Sequence, residues 1–327
     1  MANLIVNTPY DDAYRTMLVK CNELTIPLIN EIFNEHYTGQ EKIILKQNEH
    51  FILQQGGSSE KRISDSILEI ITDTVKKYHC ECESTSDGTI MIRMFEYDTQ
   101  AALEDAFISH NTLEVEFPHS AVIFLRCTRN TPDNMMIRIK VPTGDSVSYP
   151  ILVLKIKAYS IDDIFEKKLY MLIPFYIFNL EHDFSLYNDN VKNLQKLTDI
   201  YSGIYNRLEH HAAIGMISEY SKSVIYELVN KVAQNLAAKH NNIQKGIGAV
   251  MGGQVLDLEV IKMFDRGHAK GHAEGHAEGH ADERRSIISS MLNKGKTPHE
   301  ISDLTDLPLA DVLACIQELG NHNYTEH

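Results

Sequence analysis

Apolar positions recur at helical spacing from Asp11, in DDAYRTMLVKCNE, and again after Pro27 in LINEIFNEHY, where Leu28, Ile32 and Phe33 line one side. The chain therefore opens with two helices. The periodicity then changes: Ile43 to Leu53 reads as extended structure leading to a loop at Gly56 and Gly57. Ile67 to Ile71 is a β-branched run and Tyr78 to Glu83 alternates strictly. With the polar segment Thr72 to Lys77 as the turn, these form an antiparallel hairpin, and reflection about Asp73 sets Asp65 opposite Glu81. Alternation puts His79, Glu81 and Glu83 on one face and Cys80 and Cys82 on the other, thiols toward the core. Ser84, Thr85 and Ser86 offer cap hydroxyls to a helix running to about Ala106, on which Arg93, Tyr97 and Gln100 share a stripe.

Further strands follow in TLEVEF, SAVIFLR, MIRIKV and, after the turn at Thr143, Gly144 and Asp145, ILVLKIK. A capping box of Ser160 and Asp163 opens the helix IDDIFEKKLYMLIPFYIFNL, which Pro174 should kink or end. Two long amphipathic segments, Leu186 to His211 and Gly215 to Lys239, are expected to cover the sheet or to dimerise. From Gly267 to Asp282 the repeat GHAK, GHAE, GHAE, GHAD places Gly, His and Ala on adjacent stripes of a helical spacer. Histidines four apart can chelate a transition metal, although close helix contact is the plainer reading. The tail is a small helical unit in which Arg284, Arg285, Lys294 and Lys296 concentrate positive charge. An α/β fold class is expected, in four regions: a core over 1–182, a helical extension over 183–264, the repeat spacer over 265–282 and the terminal unit over 283–327.

Composition changes this picture in three ways. Hydrophobic residues at 43% and charged residues at 23% are ordinary for a globular protein. A formal net charge of -14 argues against a generic nucleic-acid binder, so any phosphate contact needs a local basic groove. Five scattered cysteines with no signal-like segment before them suit reduced thiols in a cytoplasm, and the lone CxC of Cys80 and Cys82 argues against zinc. No apolar run reaches membrane-spanning length.

The candidate chemistry lies between Lys61 and Gln100. Asp65, Glu81 and Glu83 converging at one end of a hairpin would repel unless protonated, solvated or bound to a cation, and oxygen ligands of this kind suit Mg²⁺ or Mn²⁺. Ordinary acids on an exposed hairpin face are the alternative. Arg93, Tyr97 and Gln100 bring a cation, a phenol and an amide to where a phosphate or an attacking water could be met; simple salt-bridged packing is the alternative there. Glu31 and Glu35 lie on the polar side of the second helix, as a solvated face or as a source of one more acid.

The blocks NEHF (Asn48 to Phe51), KRISDS, YHCECES, RMFEYDTQAAL, FPHSAVIFLR and IFEKKLYMLIPFYIF resemble the Rpn-type group of PD-(D/E)XK nuclease family transposases over most of Asp11 to Glu181. The tail with a Gly every four residues is similar to that group's C-terminal region. The resemblance implies a restriction-endonuclease-like core, a mixed sheet flanked by helices, together with Mg²⁺-dependent cleavage of DNA and a link to recombination or mobile elements. It implies Asp65 as the motif acid, Glu81 as the Glu of the ExK or ExQ element and the Cys82 backbone carbonyl as a further metal ligand. Gln100 would be the polar residue of the following helix and Glu31 the acid of the first. Glu83 departs from the pattern, because an ionised carboxylate cannot donate a hydrogen bond to an attacking water as Lys or Gln would. It would instead orient or deprotonate that water, or bind a second ion. The competing expectation is a non-catalytic protein that keeps the fold as a DNA-binding or assembly module, with oligomers formed through its C-terminal helices.

Overall fold

The computed structural model of the chain describes residues 9–46, 49–53, 59–63, 67–84, 88–251, 288, 291–292, 296–305, 308, 312–313 and 315–316. The chain divides into two compact units, 1–255 and 256–327.

In the first unit, α1 (Pro9–Lys20) and α2 (Thr25–Phe33) form where the periodicity predicts helices, and α2 stops at Asn34, whose left-handed φ of 54° that residue type tolerates. The strands among the described residues are β1 (Lys42–Lys46), β2 (Glu49–Leu53), β3 (Ser59–Ile63), β4 (Ile67–Ile71), β5 (Val75–Glu83), β6 (Phe107–Ser109), β7 (Thr112–Glu114), β8 (His119–Phe124), β9 (Met135–Lys140) and β10 (Ser146–Lys155). Six of them make one mixed sheet in the order β1-β4-β5-β8-β10-β9. The pairs β5–β8 and β8–β10 are parallel and the rest antiparallel. A parallel step needs a crossover, and α3 (Ile90–Glu104) supplies it between β5 and β8.

The hairpin of β4 and β5 has the expected register: Ile71 faces Val75 and Ile67 faces His79, a reflection about Asp73. Its turn is shorter than expected, with β5 already extended at Val75. Other boundaries differ more. Ile43 to Leu53 is two strands, since β1 joins the main sheet while β2 pairs with β3 in a separate ribbon. TLEVEF contributes only β7, which pairs with β6 in an exposed ribbon turned through His110 and Asn111, both at positive φ. Alternation identifies extended chain but not the sheet it joins. The crossover helix begins after Thr89 rather than at Ser84, and Ser84 is buried.

The capping box of Ser160 and Asp163 is present, with Asp163 N–H donating to Ser160 Oγ at 3.1 Å and Ser160 N–H to Asp163 Oδ2 at 2.8 Å. The helix it opens, α4 (Ile161–Glu166), is far shorter than the apolar pattern predicts. Lys168 at φ 58° lets Leu169 N–H bond back to the Ile164 carbonyl (2.8 Å) and Lys168 N–H to that of Phe165 (3.2 Å), a Schellman stop. Tyr170–Asp183, with Pro174 inside it, continues as 3₁₀ structure.

The helices that follow among the described residues are α5 (Phe184–Asp189), α6 (Val191–Ala213), α7 (Glu219–Leu236) and α8 (Asn241–Met251). Helix α7 packs on α1 and on the 3₁₀ segment, and α8 on α6. There Gly246 matters, because a Cβ at that position would lie 2.9 Å from Thr198 Cγ2. One hydrophobic core joins these helices, α1 and α2 to the sheet face bearing Leu68, Ile70, Tyr78, Cys80, Cys82, Ala121, Ile123 and Leu154. Cys80 and Cys82 thus point where alternation sends them. The opposite face carries a smaller cluster in which Ile90 and Met94 of α3 cover Val122, Phe124, Ile137 and Ile151. No helix among the described residues is long and apolar enough to cross a membrane.

In the second unit, Ile288, Ile301 and Val312 are buried together, with Met291, Leu292, Cys315 and Ile316 against them. Its helix α9 (Pro298–Thr305) is preceded by Thr297, whose N–H donates to Glu300 Oε2 at 2.9 Å. The Gly-His-Ala repeat, Arg284, Arg285 and Lys294 lie outside the described residues.

Candidate functional site

Strand β5 and helix α3 run antiparallel, and charged side chains link them in three rungs. Lys77 is paired with Asp105 and donates to the Ala101 carbonyl at 3.3 Å. His79 Nδ1 stands 2.6 Å from Asp98 Oδ1. Glu83 is paired with Arg93. The spacing is geometric: Lys77 to Glu83 spans about 20 Å of strand at about 3.3 Å per residue, and Arg93 to Asp105 about 18 Å of helix at about 1.5 Å per residue. The two elements therefore run alongside each other over similar lengths, with Lys77, His79 and Glu83 reaching the helix.

The middle rung is the most enclosed. His79 and Asp98 are both 0% exposed. Asp98 accepts from three donors: His79, Ser120 Oγ at 2.7 Å to Oδ1 and Tyr149 OH at 3.0 Å to Oδ2. Ser120 is brought there by the parallel register, which sets it beside His79. The other ring nitrogen, His79 Nε2, lies 3.1 Å from Glu81 Oε1, and Glu81 is 4% exposed. The Tyr97 ring meets the imidazole edge-on at 5.9 Å. Burial alone would lower the pKa of this imidazole, but the hydrogen bonds and charges of Asp98 and Glu81 outweigh it and raise it to about 9. That shift favours the charged ring, both of whose nitrogens lie within hydrogen-bond reach of carboxylate oxygens.

The expected site residues are distributed as follows. Glu81 is buried beneath α3 and hydrogen-bonded to His79. Glu83, at the end of the same face and 8% exposed, is engaged by Arg93, so Arg93 faces an acid of its own chain rather than open solvent. Tyr97 packs on His79. Gln100 lies between the Asp98 and Asp105 rungs, on the far side of His79 from Glu83, and its Oε1 is buried with no hydrogen-bond partner among the described residues. Glu31 accepts from Tyr159 OH at 2.9 Å and from Lys167 Nζ at 2.5 Å. Glu35, the other acid of that region, holds Lys76 (2.8 Å) and Tyr78 OH (2.9 Å). Asp65 lies outside the described residues.

Sequence reasoning missed Asp98, Ser120 and Tyr149. A signal existed for Asp98: it falls within the buried stripe of Ile90, Met94, Tyr97 and Ala101, where an acid needs a partner. Nothing local pointed to Tyr149, which the sheet brings in from β10. Beside the site, Arg126 donates to the Ser84 carbonyl (3.1 Å) and, through Nε and a terminal nitrogen, to Glu181 (2.7 and 2.8 Å), its guanidinium 5.1 Å from the Phe178 ring centre.

Glu81 is an oxygen donor of the kind a hard divalent cation takes, and it is engaged by His79 Nε2 as Glu83 is engaged by the Arg93 guanidinium. Among the described residues no three His, Cys, Asp or Glu side chains form a group that could hold a metal. Comparison with known proteins gave no matching family model, no matching curated protein and no matching solved structure.

Proposed function

We propose that this protein is a divalent-metal-dependent DNA endonuclease of the PD-(D/E)XK type, hydrolysing phosphodiester bonds in the course of recombination or transposition. The observation that carries the reading is Glu81, an acid buried on β5 and turned toward the helix that crosses over to the parallel strand β8. The architecture supports it: the resemblance implies a mixed sheet flanked by helices, and the chain has a six-stranded mixed sheet with helices against both faces.

On this reading Asp65, Glu81 and the Cys82 carbonyl hold Mg²⁺ or Mn²⁺. When bound, the ion supplies Lewis acidity to a water and to the phosphate. The chain's own residues do the rest. Glu83 holds Arg93 at the end of β5, two residues along the strand from Glu81, so that a cation from the helix would stand in for the one the family carries on the strand. Arg93, five N–H donors in a planar fork, is suited to a phosphate oxygen. Tyr97 closes the imidazole off from water. Plasmid nicking with Mg²⁺ or Mn²⁺ is expected to disappear in Asp65→Ala and in Glu81→Ala; activity unchanged in both would sink the assignment.

The Glu83–Arg93 pair also favours a second reading, a catalytically impaired nuclease fold acting as a DNA-binding or assembly module. A carboxylate locked to a guanidinium neither donates to a water nor binds a second ion. Full-length chain that takes up no Mn²⁺ and nicks no plasmid, yet retards DNA on a gel, would favour this second reading over the first.

A further inference from the structure

We propose that His79, seated by Asp98, is a positioning residue that fixes the carboxylate of Glu81; the proposal rests on reading Glu81 as a metal-binding acid. The geometry is a chain of side chains. Ser120 and Tyr149 hold Asp98 from two sides, Asp98 holds His79 Nδ1 at 2.6 Å, and His79 Nε2 reaches Glu81 Oε1 at 3.1 Å. Both ring nitrogens lie within hydrogen-bond reach of carboxylate oxygens, and the ring has one orientation that meets both. The edge of Tyr97 blocks its remaining side.

A glutamate has three rotatable side-chain bonds, and an anion free to swing gives up conformational freedom each time it binds an ion. A clamp on one of its oxygens removes part of that freedom in advance, the way outer partners orient the ligands of metal sites. A structural role explains the cluster less well. Buried ionic groups contribute little stability beyond what apolar side chains of similar volume would give, and the surrounding face is already apolar through Val122, Phe124 and Met94. The cluster is not a nucleophile triad: the Ser120 hydroxyl donates to Asp98, not to His79, and Ser120 is 3% exposed.

The test is isothermal titration of Mn²⁺ into the full-length chain and into its His79→Gln and Asp98→Asn variants, with ring ¹⁵N spectra of His79 in the native protein and in Glu81→Gln. Both variants, folded by circular dichroism, are expected to bind Mn²⁺ about 10- to 100-fold more weakly, and the Nε2 resonance is expected to move more than Nδ1 in Glu81→Gln. Should His79→Gln fail to fold, Asp98→Asn, which retains an acceptor oxygen for Ser120 or Tyr149, carries the affinity measurement alone. Native Mn²⁺ affinity in a folded variant overturns the proposal, as does an Nε2 resonance indifferent to Glu81→Gln. Absence of Mn²⁺ uptake by the native chain, with Nε2 still responding to Glu81→Gln, would overturn the nuclease reading and leave the clamp standing.

Discussion

Arg93, one turn into α3, is ion-paired with Glu83, the last residue of β5, and both side chains are largely withdrawn from solvent. Glu83 therefore does not extend the row of acids on its strand. It is the anchor of a cation that arrives from the helix.

Substituting Lys for Glu83 sets two cations against each other in this enclosure. The loss of unfolding free energy is expected to be roughly 3–5 kcal/mol, the cost of breaking a buried pair, and the reciprocal swap Glu83→Lys with Arg93→Glu should recover most of it. Urea unfolding of the native chain, the two single variants and the swap measures the coupling. A change below about 1 kcal/mol in Glu83→Lys, the range of exposed pairs, would show the contact to be solvent-screened.

Stability should depend on pH through His79. Its folded pKa of about 9 stands above the ordinary 6.5, so its contribution is complete below pH 6.5 and is lost as the pH rises through about 9. A preference of this size for the charged ring in the folded state contributes on the order of 3 kcal/mol. Urea midpoints taken across this window are expected to fall in the native chain and to fall less in His79→Gln; parallel curves would contradict the assignment.

Asp98 collects three donors, and Asp98→Ala strands all of them in a dry site. The expected cost is about 3–5 kcal/mol, with Asp98→Asn milder because an acceptor oxygen remains. Thermal melts that rank the two variants the other way would argue against the network.

Burial raises the pKa of the Cys80 thiol and pushes that of Cys21 up to about 12, which leaves little thiolate for reaction near neutrality. Iodoacetamide should modify these two cysteines only at the rate at which the chain unfolds, and in urea it should modify all five alike. Mass spectrometry of timed samples distinguishes the cases; prompt native labelling of Cys80 would mean that its face of the sheet is open.

Much of this was readable from the residues. The alternation of β5 located two thiols against one core and three titratable groups against the other side, and symmetry about Asp73 fixed the hairpin register. The partners of those groups were harder to see. Asp98 is 19 residues from His79 and Tyr149 is 51 from Asp98, so their meeting depends on the crossover and on the order of parallel strands, neither of which leaves a local pattern. The stop after α4 was hidden for a different reason. Lys168 adopts a backbone conformation that lysine seldom takes, and only the burial of Ile164 and Leu169 together makes that worthwhile.

The guanidinium of Arg126 couples places far apart in the chain. It grips the carbonyl of Ser84, where β5 ends, and Glu181, where the 3₁₀ segment nears its end. Force applied to that segment would therefore be transmitted to the terminus of the strand that carries Glu81 and Glu83. Position 181 is in this sense a remote adjustment screw on the site: Glu181→Gln should speed amide hydrogen exchange at the end of β5, with no side chain of the site altered.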